Sequence, residues 1–383
     1  MKKLLSFELK KISLKRSTLF ILVAAVILNL SVIMLGATTV ISTSIEMERL
    51  PGFQAIENEQ EIQGQWRGYI TDEVIEQVEL EQVDNPEYWG IMAAIGIQEV
   101  RLTTIKSQLR AGSLDTIYDN VLKGVSQGQK RPAGTNEEVN KLLGMYDQIN
   151  LPFYYDYYDG WLNLSLSFSI IISMLVSVII VICISPVFSE EYSQKTDAII
   201  LTTKYGKGKI ITAKLLSAFI FTTSVFALFA LLNFALHALI YGLDGYNASI
   251  QLYGWNYQSP YNMTFLQLYL YTLGFSFVGL LFMTAITLFI SSKAKSPFIT
   301  VIIALSILYI PKIDLSRVSY SVNNLLELFP INIMNAAEHV ELGVFYNVFG
   351  TLILQPVMMI FTATVLSALL LLVTYRTFKN HQA

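Results

Sequence analysis

Glu190 and Glu191 open a polar stretch from Ser189 to Lys214, and Lys204, Lys207, Lys209 and Lys214 close it. The stretch lies between two long apolar runs and carries both signs of charge. Such a segment can dock a soluble partner. If its first part is a helix, the acids sit at the N-terminus and the bases toward the C-terminus, which suits the helix dipole. Gly206 is then the expected C-cap, because glycine takes the left-handed conformation without a steric cost. The plainer alternative is an ordinary solvated loop.

Other chemistry is sparse. Gly206-Lys-Gly-Lys-Ile-Ile-Thr212 superficially resembles a phosphate loop, but it lacks the GxxxxGK[ST] spacing and a preceding strand. Cys183 is the only cysteine, so there is no intrachain disulfide and no cysteine-based metal cluster. His237, His339 and His381 are too far apart in sequence to show metal-ligand spacing. No HExxH, no GxSxG and no paired histidine–carboxylate pattern occurs. No catalytic, cofactor or metal site is therefore assigned, and the chain is not read as an enzyme or a nucleic-acid binder.

The elements that position the polar stretch follow from composition. Of 383 residues, 53% are hydrophobic and 14% charged, with a mean hydropathy of +0.50. Soluble domains carry roughly 25% charged residues, so the expectation is an all-α polytopic membrane protein. Six apolar segments fit transmembrane helices: 17–41, 162–184, 210–241, 264–290, 298–310 and 350–375. A bilayer core of roughly 30 Å needs about 20 apolar residues per helix; the fifth segment is short. The spans are read as free of acids and bases, with Lys214 counted in the polar stretch. Intramembrane ionisable groups are the usual mark of ion-coupled transport, so this reading argues against a transporter driven by an ion gradient.

Residues 1–16 are read as a basic amphipathic helix on the inner leaflet surface. Leu4, Leu5, Leu9 and Ile12 share one face at 100° per residue, and Lys3, Ser6, Lys10 and Ser13 share the other. The alternative is a disordered basic leader. The first apolar run has no small-residue cleavage site and is read as a retained span rather than a signal peptide. Residues 42–160 hold twenty acids against nine bases, a net charge of −11, and are assigned outside as a small helical domain. Helices are expected at Asp72–Val83, Trp89–Arg110 and Glu137–Ile149, with a loop at 124–134. The run Phe153-Tyr-Tyr-Asp-Tyr-Tyr-Asp-Gly-Trp161 reads as an interfacial aromatic belt. Residues 186–209 are assigned to the cytoplasm. Residues 311–349 are an outer segment in which Asn323–Phe329 and Ile333–Leu342 look amphipathic. Summed over these assignments, the inside carries +11 and the outside −14, which supports cytoplasmic N- and C-termini by the positive-inside rule.

A large multi-span chain with no energy source of its own suggests a separate subunit that supplies it. The arrangement resembles ABC-2 type permeases, the membrane subunits of bacterial ABC exporters, and among them members with an enlarged extracytoplasmic domain. Three features carry the resemblance: an amphipathic helix ahead of span one, six spans with helical excursions before the last, and a degenerate pattern between spans two and three. Here the pattern reads Glu191, Thr196, Ile200-Leu201, Thr203, Lys207, Ile210 and Lys214, with Tyr205 where proline is usual and Lys207 where arginine is usual.

The resemblance implies that Ser189 to Tyr205 forms a coupling helix inserted into a separately encoded ATPase. Glu190, Glu191, Tyr192, Lys195, Thr196, Ile200, Leu201, Tyr205, Lys207 and Lys214 would be the coupling residues, and Leu5, Leu9 and Ile12 would anchor the N-terminal helix to the bilayer. It also implies ATP and Mg on the partner only, a second permease subunit (identical or not), and a bacterial plasma membrane location. The expected cargo is hydrophobic or amphipathic, such as an antimicrobial peptide. A membrane sensor or scaffold, with the outer domain binding a ligand and the polar stretch docking a signalling partner, is the other reading.

Overall fold

The computed structural model describes residues 1–43, 48–80, 86–101, 106–107, 135–203, 205–254, 256–315 and 318–380. The expected loop at 124–134, Lys204, and the C-terminal ends of the helices expected at Asp72–Val83 and Trp89–Arg110 lie outside these residues. The chain is a helical, multi-pass membrane protein. Five helical runs are long and apolar enough to cross a bilayer: Arg16–Thr38, Asp159–Ser193, Gly206–Tyr241, Phe265–Ser291 and Gln355–Lys379. A shorter apolar helix covers Pro297–Lys312, about 24 Å at 1.5 Å per residue. The described strands form three two-stranded antiparallel ribbons.

The bundle is stitched across its interior by small polar side chains. Ser173 Oγ donates to Ser276 Oγ at 2.9 Å, and Thr222 and Thr284 pair at 2.8 Å. Such contacts replace backbone or water partners where lipid offers none. Gly279 is a close-approach position: a Cβ there would collide with the Met334 side chain. Met334 belongs to a short helix, Pro330–Met334, followed by Ala336–His339. Residues 331–337 are all buried. The expected amphipathic helix at Ile333–Leu342 is therefore two buried helical turns broken at Asn335, dipping into protein rather than into the outer leaflet. The last long helix starts at Gln355 rather than at 350, because Phe345–Val348 and Thr351–Leu354 form a hairpin. Its turn residues Phe349 and Gly350 both have positive φ, 52° and 87°, as a primed hairpin turn requires.

At one end a small domain, built largely from residues between the first two long helical runs, sits on the bundle. Thr135 caps helix Asn136–Tyr146 in a capping box with Glu138. Ile91 and Ile95 are buried on one face as the spacing predicts. Gln98, next on that face, donates to Ile70 O at 2.9 Å and accepts from Phe153 N at 2.7 Å. The aromatic run is not an interfacial belt. Phe153, Tyr155, Tyr157 and Trp161 are all buried. Tyr158 stacks on Phe265 at 4.5 Å, and Trp161 donates to Leu243 O at 3.2 Å. The rings form a seam between domain and bundle. Burying them removes more apolar surface from water than a headgroup position would.

Candidate functional site

The other end of the bundle holds the N-terminal helix, the end of the last long helix near Phe378 and the polar stretch. Four helices matter: α1 (Lys2–Ser13), α2 (Pro186–Ser193), α3 (Asp197–Thr202) and α4 (Ile211–Tyr241).

Lys214 lies one turn inside α4, with 0% of its surface exposed. A lysine ammonium has three donors and no acceptor. All three are used: Glu191 Oε1 at 2.7 Å, Glu8 Oε2 at 3.1 Å and Val187 O at 3.0 Å. Glu191, 3% exposed, also accepts from Lys11 Nζ at 2.7 Å. Burial lowers the pKa of Lys11, but the hydrogen bond and negative charge of Glu191 outweigh it and raise the value overall. Two lysines and two glutamates thus form a neutral quartet across α1, α2 and α4. A charge removed from water costs several kcal/mol unless its partners are complete. Here the ammonium is saturated, so the quartet fixes how the three helices meet. A second pair, Lys15–Glu190 at 2.8 Å, lies one position along and is more exposed.

The sequence reading placed Lys214 outside the spans and Glu191 on a docking surface. Both are corrected: Lys214 is inside the helical run of span three, and neither side chain faces solvent. Ile12 is also buried, and Leu5 and Leu9 are half-buried, with Leu9 packed on the bundle core. The apolar face of α1 is thus turned to protein rather than to lipid alone. Phe7 and Leu14 remain exposed.

Proline sets up the junction. Pro186 starts α2 directly after the helix ending at Ile184, and a helix start leaves N–H groups without intrahelical partners. Phe188 N and Ser189 N both donate to Ser291 Oγ at 3.1 Å, and Ser291 Oγ donates to Ser185 O at 2.6 Å. One serine at the end of another long helix caps the break. Tyr192 donates to Ser292 O at 3.0 Å, and Phe188 packs on Phe378 with centroids 4.9 Å apart.

The expected single helix from Ser189 to Tyr205 is two short helices. α2 ends in a Schellman motif: Thr196 N donates to Glu191 O at 2.9 Å and Lys195 N to Tyr192 O at 3.1 Å. The left-handed residue is Lys195, with φ 55°, and not Gly206. Gly206 serves instead as a close-approach site, where a Cβ would collide with the Ile200 carbonyl. Beyond the turn, Leu201 is buried, and Thr196 and Ile200 are half-buried. Ile199 is 68% exposed and Tyr205 43%. Lys195, Thr202, Thr203 and Lys207 are also exposed, and Lys209 lies over the Tyr205 ring at 4.7 Å. The result is an apolar-tipped, basic knuckle held on a buried ionic base.

Of the predicted coupling residues, the structure gathers Glu190, Glu191, Tyr192 and Lys214 into the base. It leaves Lys195, Tyr205 and Lys207 on the knuckle. Sequence reasoning missed Glu8, Lys11 and Ile199. Glu8 had a signal: at 100° per residue it falls between Leu4 and Ile12, in the middle of the apolar face of α1. Among the described residues, no group of three His, Cys, Asp or Glu could hold a metal ion. No family model, no curated protein and no solved structure matches this chain.

Proposed function

We propose that the chain is the membrane permease of an ATP-driven exporter, powered by a separate ATPase that docks on the knuckle around Ile199 and Tyr205. The observation that carries this reading is the knuckle itself: exposed apolar residues among lysines, rigidly tied to three helices by the Lys214 quartet. A partner that pushes on α3 would move α1, α2 and α4 together. Energy from ATP hydrolysis on that partner would then bias the bundle between two arrangements, a population shift rather than a new fold.

In this reading the end that carries the polar stretch faces the cytoplasm of a bacterial plasma membrane. The reading takes six crossings, which the placement of the two ends supports. The N-terminal helix and Phe378 meet at the polar stretch, so the chain crosses an even number of times, and Pro297–Lys312 supplies the sixth. The cargo is hydrophobic or amphipathic, such as an antimicrobial peptide, and a second permease subunit completes the path.

Purification from the native membrane in mild detergent tests the assignment. A co-purifying nucleotide-binding ATPase, released by a peptide spanning residues 195–209, supports it. A co-purifying kinase or cell-wall enzyme would instead favour a sensor, and would sink the exporter reading.

A further inference from the structure

Far from the knuckle, a cleft of about 330 Å³ opens between the helical runs Arg16–Thr38, Asp159–Ser193 and Gly206–Tyr241. This is the low end of small-molecule pockets, roughly 300–1,000 Å³. The cleft exists because the second run is irregular. Ser167–Ile172 is a π-helical segment, and such insertions recur at functional sites. It turns Ile170 and Ile171 outward, where both remain substantially exposed. They and Leu166 form one wall; Val32, Ile33 and Gly36 form the other.

The polar atoms are few. Asn163, Ser167, His237 and Tyr241 line the cleft. His237 Nδ1 lies 2.9 Å from Asn233 O. A carbonyl only accepts, so Nδ1 carries the proton and Nε2 is the ring's acceptor. Tyr241 stacks on His237 with centroids 5.8 Å apart. No carboxylate, lysine or arginine lines the cleft, so no fixed charge there would neutralise a charged head. The walls are apolar and belong to helices that cross the membrane, so an occupant arrives from the lipid phase.

We infer that this cleft is a binding site for one chain of a membrane amphiphile whose head is uncharged and carries a hydroxyl, donated to His237 Nε2. Charge complementarity selects against phosphate- and ammonium-bearing heads. Size limits the occupant to a single chain. The inference does not rest on the exporter reading.

The probe is a monoacylglycerol with a photoactivatable diazirine in its chain, incorporated with the full-length protein in phosphatidylcholine nanodiscs. A lysophosphatidic acid with the same chain and diazirine is the charge control. Two substitutions fill the cleft: Gly36→Leu, where an added Cβ meets nothing within 4 Å, and Ile171→Trp, at an exposed wall position. His237→Phe keeps a ring and removes the acceptor. Each variant is first checked for an unchanged unfolding temperature. The expected result is monoacylglycerol labelling concentrated in residues 32–40 and 163–171. It should fall at least fivefold in whichever filling variant folds, fall about threefold in His237→Phe, and be several-fold weaker with the charged probe. Equal labelling by both probes overturns the inference. So does labelling that persists in a folded filling variant, or that spreads over all lipid-facing helices.

Discussion

The two ends of the bundle are held by different forces. At the end that carries the small domain, Phe153, Tyr155, Tyr157 and Trp161 fasten it to the helices by burying rings. A charged triad lies nearby, Arg67 with Asp156 at 3.0 Å and Asp244 at 2.6 Å; Asp156 is buried, but Arg67 and Asp244 are open to solvent, which weakens the pairing. At the end that carries the polar stretch, α1, α2 and α4 are joined by an ionic quartet in which Lys214, Glu191 and Glu8 are buried and Lys11 lies at the open edge. Ring burial tolerates small changes of shape, because apolar contact is non-directional. A saturated ammonium does not: shifting one helix by an ångström breaks several bonds at once. A seam of the first kind suits a fixed support. A joint of the second kind suits an element with discrete positions, which is what transmission of a push requires.

Near-isosteric substitutions should separate the two ends most clearly. Lys214→Met keeps the volume but leaves Glu8 and Glu191 buried with Lys11 as their only cation within the quartet. We expect a loss of ~3–5 kcal/mol, read from unfolding in detergent. Adding Glu8→Leu and Glu191→Leu should recover at least half of it, and failure to recover would mean that packing rather than charge holds the joint. At the seam, Phe153→Leu should cost only about 1.5 kcal/mol or less, as volume-tolerant swaps do. A larger loss there than at Lys214 would erase the distinction.

Smaller effects sharpen it. Lys195 occupies a left-handed position that costs a non-glycine residue roughly 1 kcal/mol, so Lys195→Gly should stabilise α2 by about that amount, visible as slower amide exchange at Thr196. Between pH 4.5 and 7 the response should be strongest in residues 318–345, where two raised carboxyls outweigh His339, whose pKa is lowered to about 4 by burial and which acts in the opposite sense. Glu327 is pushed up to about 7 by burial and then by the charge of Glu338. Glu341 is pushed up to about 7 by the same two causes. A carboxyl raised above its unfolded value, near 4.5, stabilises the fold most fully below that value and loses the contribution as pH rises through 7. Amide exchange in residues 318–345 should therefore quicken between pH 4.5 and 7 beyond the intrinsic rate. Glu327→Gln should flatten the trend, and α2 should show none.

Much of the fold was legible because a bilayer writes its thickness into the sequence: apolar runs near the required length became helices within a few residues of their expected ends. The joint was less legible. Glu191 and Lys214 are 23 residues apart and Glu8 and Lys214 206 apart, so no local pattern pairs them. Lys214 read as a cytoplasmic base because charge alone argues against burial, and only three partners in space reverse that argument. The aromatic run was misplaced for a similar reason. Rings beside a span fit a headgroup layer or a buried seam equally well, and the folded small domain decides between them. Pro186 signalled a break, but Ser291, which repairs it, is 103 and 102 residues from the Phe188 and Ser189 amides it caps. At the end of α2, Gly206 matched the usual C-cap residue, yet the chain had already turned at Lys195.

In the proposed function the knuckle receives a push from a docked ATPase and the quartet passes it on. Ile199→Asp alters only the exposed tip. In proteoliposomes that hold the native complex, ATP turnover and ATPase retention should both fall at least tenfold in this variant, with the unfolding temperature unchanged. Turnover and retention equal to those of the unaltered protein would contradict the account.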